Sequence, residues 1–384
     1  MNSASNGIEP QLPGVFLMTN SFETGGSERQ FAGLAGSLNA KLFRVSIGCV
    51  TKRGRFLEGL GEVLEFPLGG NLYGTRSMQA RVRLARHLRK LRISVAHAFD
   101  FYTNLTLIPA ARLARVPVLI GSQRQLGDLL TPAKSRAQFA ALSWCDRVVC
   151  NSRAAADRLI EQGIREMQIV VIRNGLPPVS FVPTAPALPR HSSLLRVGMV
   201  ARMNTESKNH RLFLRAAARL QKTFSELEFV LVGDGPLRPQ FERLADDLGI
   251  RDCVRFLGDR QDIPAILASI DVSVLPSASE SLSNVIIESM AAGIPVVATR
   301  VGGNSELITE SRGILIDPGD EQCLIAMIDL LLRDTPMRAA LGRNAKRFAE
   351  TNFTIAEMKQ QHEALYIELL KNKTRQNPKP YARS

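Results

Sequence analysis

From residue 14 onward, short apolar runs rich in β-branched residues alternate with longer stretches whose apolar positions recur every three or four residues. VFLMTN, FRVSIGCV, SVAHAFD, VPVLIGS, RVVCNS and IVVIRNG predict strands, and ERQFAGLAGSLN, LTLIPAARLAR and SRAAADRLIEQG predict helices between them. Strands spaced by helices of about 10 to 15 residues imply parallel βαβ units. Runs such as VPVLI, with no polar residue inside, suit strands covered on both faces. The pattern breaks at LPPVSFVPTAPALPRHSS, where Pro177, Pro178, Pro183, Pro186 and Pro189 stop both helices and central strands. It restarts with LLRVGMVAR, LEFVLVGDG, VRFLGD, DVSVLPS, PVVATRV and GILID. The expectation is an α/β chain of two Rossmann-like, doubly wound domains, 14–180 and 194–370, joined by a linker at 181–193. Ligands in such sheets bind beyond the carboxyl ends of the strands, so the site is expected in the interdomain cleft. The last helix, through ALYIELLKN, is expected to return to the first domain. Residues 1–13 and the basic tail 371–384 are expected to be disordered.

At 384 residues with 45% apolar positions, the chain has enough hydrophobic surface for two cores. No apolar run approaches the roughly 20 residues that span a bilayer, and the first residues lack the parts of a signal peptide. Cys49, Cys145, Cys150, Cys253 and Cys323 show neither a C-x-x-C pair nor zinc spacing, which reads as cytosolic thiols. The formal charge of +13 is lopsided: residues 1–190 hold 24 Lys and Arg against 12 Asp and Glu. Much of the excess lies in residues 76–92, a basic amphipathic helix that suits an anionic membrane surface or, equally, a solvated face. With no aromatics interleaved among these charges, nucleic acid is not expected as a partner. The expected location is the cytoplasm, with a peripheral position on the inner face of the plasma membrane as the membrane variant.

Candidate chemistry concentrates in VLPSASESLSNVIIESMAAGIPVVAT, read as strand, loop, helix and strand. A helix start near Ser281 to Asn284 offers unpaired backbone N–H groups and a positive dipole end, a natural anion site. Glu280 stands at its mouth and Glu288 follows eight residues later. In VGMVARMNTESKNH, a strand delivers Arg202 to its carboxyl end and Lys208 precedes the next helix, two cations suited to a diphosphate. Gly25 and Gly26 lie between a strand and a helix, where a backbone can approach a ligand or simply turn. His97, Asp100 and Tyr102 end another strand at the cleft; Arg124 and Asn174 end two more and read as acceptor-side or cleft residues. Ser152 reads as a helix cap.

The region from Pro276 through Glu280, Glu288, Gly293 and Pro295 to VGGNSELI resembles the E-x7-E signature of the retaining glycosyltransferases of family four, which have the GT-B fold. The resemblance covers most of the chain and is strongest over 196–320. It implies that Arg202 and Lys208 hold the donor diphosphate, Glu280 the transferred sugar and Glu288 the ribose. It further implies donor contacts from Gly25, Gly26, Gly233, Gly258, Arg260, Leu282, Ser283, Asn284 and Val285. His97 matches the first histidine of the family's H-x-H; the second, which reaches the sugar, is Phe99 here. His97 thus reads either as a catalytic residue or as a packed strand histidine. What the resemblance implies is transfer from a nucleotide-diphosphate sugar, a UDP-sugar, to a saccharide or lipid-linked acceptor in cell-surface polysaccharide or glycolipid synthesis. The leaving diphosphate would help deprotonate the acceptor. No cofactor is expected, and no metal, because a D-x-D motif is absent. A sugar-nucleotide epimerase on the same fold, or a non-catalytic binding protein, are the alternatives.

Overall fold

The computed structural model describes residues 12–23 and 25–376. Seven parallel strands build the first sheet: β1 (Gly14–Thr19), β2 (Arg44–Cys49), β3 (Val63–Glu65), β4 (Ile93–Ala98), β5 (Val118–Gln123), β6 (Arg147–Cys150) and β7 (Ile169–Val171). Their spatial order is β3-β2-β1-β4-β5-β6-β7. The second sheet has six: β8 (Leu195–Val200), β9 (Leu227–Val232), β10 (Val254–Phe256), β11 (Val272–Leu275), β12 (Val296–Thr299) and β13 (Ile314–Ile316), in the order β10-β9-β8-β11-β12-β13. Every ladder is parallel. Both domains are doubly wound, as the alternation predicts.

The central strands are almost wholly buried, Gly14–Thr19 along its whole length, because helices cover both faces. The strand order reverses between β1 and β4 in one sheet and between β8 and β11 in the other, and the crevices at those two points face each other. At the first, Asp100 caps the helix Phe101–Ala114 and also accepts from the Asn20 amide at 2.7 Å, locking the ends of β1 and β4 together.

The basic segment forms the helix Thr75–Lys90. Its apolar stripe, Ala80, Leu84, Ala85 and Leu88, lies inside the first core, so it is not available to a bilayer. Arg81 turns inward to the carbonyls of Leu105 and Leu72 at 3.0 and 2.8 Å, while Arg76, Arg83, Arg86, Arg89 and Lys90 stay exposed. No helix among the described residues is long and apolar enough to cross a membrane.

The chain crosses between domains twice. Leu176, at the start of the first crossing, donates its amide to the Phe353 carbonyl at 2.7 Å and accepts from the Ile355 amide at 2.9 Å, both at the second. The final helix, Ile355–Gln376, then lies against the first domain, burying Met358, Leu365, Tyr366 and Leu369 with Phe43, Val95 and Ile120. Its end corrects one expectation. Residues 371–376 remain helical where a disordered tail was expected to begin, because Leu370 still packs on the core and Lys373 pairs with Asp146 at 2.6 Å. The rest of that tail, 377–384, and residues 1–11 lie outside the described residues. Two elements escaped the sequence pattern: β3, only three residues long, and the helix Pro132–Leu142, whose apolar positions are poorly periodic.

Candidate functional site

Strand β8 ends at Val200 and carries Arg202 to the mouth of the second crevice. A turn of 3-10 helix, Glu206–Lys208, then aims Lys208 across it, its Nζ 2.6 Å from Oε1 of Glu280. Glu280 follows β11 on a loop, only 9% exposed, and also accepts from the Ser277 hydroxyl at 2.8 Å. The loop is pinned from behind by Gly302: at φ +45, a side chain there would place Cβ 1.8 Å from the Glu280 carbonyl oxygen. Ser283 caps the helix Asn284–Ala291, accepting from the Ile286 amide. Glu280 thus precedes the helix and Glu288 lies within it, four residues after Asn284, so Asn284 and Glu288 share one face.

That face meets the first domain. Beyond β1, the glycine loop leads into the helix Gly26–Ser37, and Arg29 on that helix forms an ion pair with Glu288. Burial raises the Glu288 carboxyl above its ordinary range and Arg29 opposes the shift. Asn284 accepts from Asn174 at 2.7 Å and from Gln30 at 3.3 Å. Gly26 permits this approach, since a Cβ would sit 2.3 Å from the Asn284 amide nitrogen. Beside it, burial raises the Glu28 carboxyl against the opposing charge of Arg202 from the other domain. On the far side Ser281 donates to Asn151 at 2.6 Å, and Arg55 reaches Asp259 at 3.3 Å.

Between these contacts lies a cleft of about 460 Å³. It brings together Gly25, Gly26, Arg202, Lys208, Gly233, Arg260, Glu280, Leu282, Ser283, Asn284, Val285 and Glu288. Basic and acidic groups face one volume from both walls, an arrangement suited to a diphosphate carrying hydroxylated groups. Gly258 does not line the cleft: at φ +66 it supports Gly233 from behind, its carbonyl accepting the Gly233 amide at 2.8 Å. The expectation that it touches a ligand is corrected accordingly.

His97 is a larger correction. It is fully buried behind the cleft, with Nδ1 2.7 Å from the Tyr366 hydroxyl and Nε2 2.9 Å from the Ser122 hydroxyl, and its ring stacks on His362. Burial holds its pKa well below 6.5. Of its two sequence readings, the packed one holds, and His97 touches no cleft ligand. Phe99 is likewise fully buried, and the Arg124 guanidinium lies over its ring. Ser152 caps its helix as expected, accepting from the Ala155 amide at 3.1 Å. Arg29 was missed by sequence reasoning; its position three residues after Gly26, at the start of a helix entering the cleft, was the available signal.

Known proteins resemble the chain along most of its length. Residues 24–179 match the family model described as Glycosyltransferase Family 4, and residues 195–334 match the one described as Glycosyl transferases group 1. A lipopolysaccharide core biosynthesis glycosyltransferase of Rhizobium meliloti is 33% identical over 51% of this chain and 57% of its own. A D-inositol 3-phosphate glycosyltransferase of Corynebacterium kroppenstedtii is 30% identical over 63% of this chain and 58% of its own. The chain therefore matches a little over half the length of each. The galactosyltransferase of Escherichia coli that uses UDP-Gal and GlcNAc-diphosphoundecaprenol is 26% identical over 79% of this chain and 82% of its own. Among solved structures, the Anabaena protein HepE in complex with UDP and glucose shares the fold at a TM-score of 0.78, with 23% identity over 91% of this chain and 98% of its own.

Proposed function

The chain belongs to glycosyltransferase family 4, and on that premise we propose that it transfers a sugar from a nucleotide-diphosphate donor, a UDP-sugar, to a saccharide or lipid-linked acceptor. The observation that carries this reading is the convergence of Arg202, Lys208, Glu280 and Glu288 on one cleft at the switch point of the second sheet. Arg202 and Lys208 take the diphosphate and stabilise its charge as it departs. Glu280, freed from Lys208 once phosphate arrives, accepts from the sugar hydroxyls. Glu288 accepts from the ribose hydroxyls, Arg29 being the group that holds it until then. The transfer proceeds with retention, the leaving phosphate taking the acceptor proton on the same face of the sugar, and no step is assigned to a metal. The relatives that act in lipopolysaccharide core synthesis and on a lipid-linked diphosphate support an acceptor of that class.

The test is direct. Glu288→Ala should weaken UDP binding, measured by calorimetry, about tenfold or more, because two charge-assisted hydrogen bonds are lost. Unchanged affinity in a folded variant removes the assignment. Incubating the donor alone and following it by nuclear magnetic resonance separates transfer from epimerisation, which would convert the sugar with no acceptor present.

A peripheral membrane position is part of the same proposal, now restricted to charge. With Leu84 and Leu88 buried, the exposed cations Arg76, Arg83, Arg86, Arg89, Lys90 and Arg92 are the groups that would meet a headgroup. Flotation with anionic liposomes should succeed at low salt and fail at about 1 M salt, where the Debye length shrinks to about 3 Å. Binding that survives high salt, or none at low salt, rejects it.

A further inference from the structure

The first-domain wall of the cleft contains a cation with which no described carboxylate forms an ion pair. Arg124 immediately follows β5, lines the cleft and is 8% exposed. One of its terminal nitrogens donates to the side-chain oxygen of Asn174, while Nε and the other terminal nitrogen find no acceptor. No described carboxylate pairs with it; Glu28 acts only at longer range. Its remaining support is the Phe99 ring, whose centroid lies 4.4 Å from the guanidinium carbon. Burial pulls its pKa down to about 10, so it remains charged at neutral pH.

A buried guanidinium with unmet donors is destabilising unless something completes it. Its planar fork is matched by a carboxylate or a phosphate, which can accept two parallel N–H groups. The position is also informative. Phe99 is buried as a floor after β4, Asp100 beside it is held by the Asn20 and Thr103 amides, and the neighbouring end of β5 presents Arg124.

We propose that Arg124 is the seat for an oxyanion, a carboxylate or phosphate, carried by the transferred sugar or by the acceptor saccharide. The inference rests on the donor-site reading above, which assigns the diphosphate to Arg202 and Lys208 on the opposite wall.

Titration calorimetry of the full chain tests it with four probes: UDP, UDP-glucose, UDP-glucuronate, and glucose 6-phosphate with and without saturating UDP. UDP should bind the wild type and Arg124→Gln equally. At least one anionic probe should bind the wild type about tenfold tighter than Arg124→Gln, with Arg124→Lys between them. A preference for UDP-glucuronate over UDP-glucose that Arg124→Gln abolishes puts the anion on the donor sugar; an Arg124-dependent affinity for glucose 6-phosphate puts it on the acceptor. If both anionic probes bind the wild type and Arg124→Gln alike, or bind neither, the seat does not exist. If UDP fails to bind the wild type, the donor-site reading falls, and glucose 6-phosphate alone still decides the seat. Because Arg124→Gln removes an uncompensated charge, its melting temperature should equal or exceed that of the wild type. A lower one with unchanged anion binding makes Arg124 a structural strut and overturns the proposal.

Discussion

Lys208→Ala should cut the rate of sugar-nucleotide cleavage by about 100- to 1000-fold, the usual loss when a group facing charge that develops in the transition state is removed. The donor for this assay is whichever sugar nucleotide raises the melting temperature most. Lys208 stands on a single turn directed at Glu280 and is about one-third exposed, so its pairing adds little to stability and the variant should fold normally. Most of the loss should fall on the rate of the bound complex rather than on donor affinity, since Arg202 lines the same cleft and, on the proposed reading, would still hold the diphosphate in the ground state. A folded variant that keeps more than about a tenth of the wild-type rate would remove Lys208 from the reaction.

The second large effect concerns acid. His210 is buried against the Phe241 ring at 4.7 Å, and His362, on the final helix, is buried against His97 of the first sheet; burial lowers the pKa of each to about 4. Both values are depressed relative to an unfolded pKa near 6.5. The stability they contribute is therefore fully present above pH 6.5 and is lost as the pH falls through 4. A shift of that size corresponds to about 2 to 3 kcal/mol per histidine at pH 4.5, a large part of a typical unfolding free energy. Denaturant unfolding of the wild type at steps from pH 7 to 4.5 should show this slope. His210→Asn and His362→Asn together should flatten it, whatever their stability at pH 7. If the double variant retains the full slope, other groups, the buried His97 or the carboxylates, and not these two rings govern the acid limb.

Much of the architecture was legible because it rests on local periodicity. The apolar runs that became β1, β4, β8 and β11 need cover on both faces, and the proline cluster can enter neither a helix nor a central strand. The donor wall was legible for a related reason: Arg202 and Glu280 follow β8 and β11, neighbours in the sheet, and Glu288 lies on the helix after β11, all within one domain. What escaped depends on pairs far apart in the chain. His97 looks like a cleft residue until Tyr366, 269 positions later, closes over it on the returning helix. Arg29 gains meaning only from Glu288, 259 positions away in the other domain. Gly258 matched a ligand-binding loop, yet its role is to shape the neighbouring turn at Gly233.

The paired backbone hydrogen bonds at Leu176, Phe353 and Ile355 have a mechanical consequence. Two covalent strands connecting two bodies would ordinarily permit sliding and twisting as well as opening. Here the strands are stitched to each other where they cross, and Gly175 lies so close to Ile355 that a Cβ would stand 2.7 Å from its Cα. They act as a single pin. Such a tie opposes sliding at that point, so the motion expected to cost least is rotation about it, opening and closing the cleft like a book along its spine. Ligand exchange and realignment of Arg29 with Glu288 then share one coordinate, so a single interdomain distance measured in solution would report both.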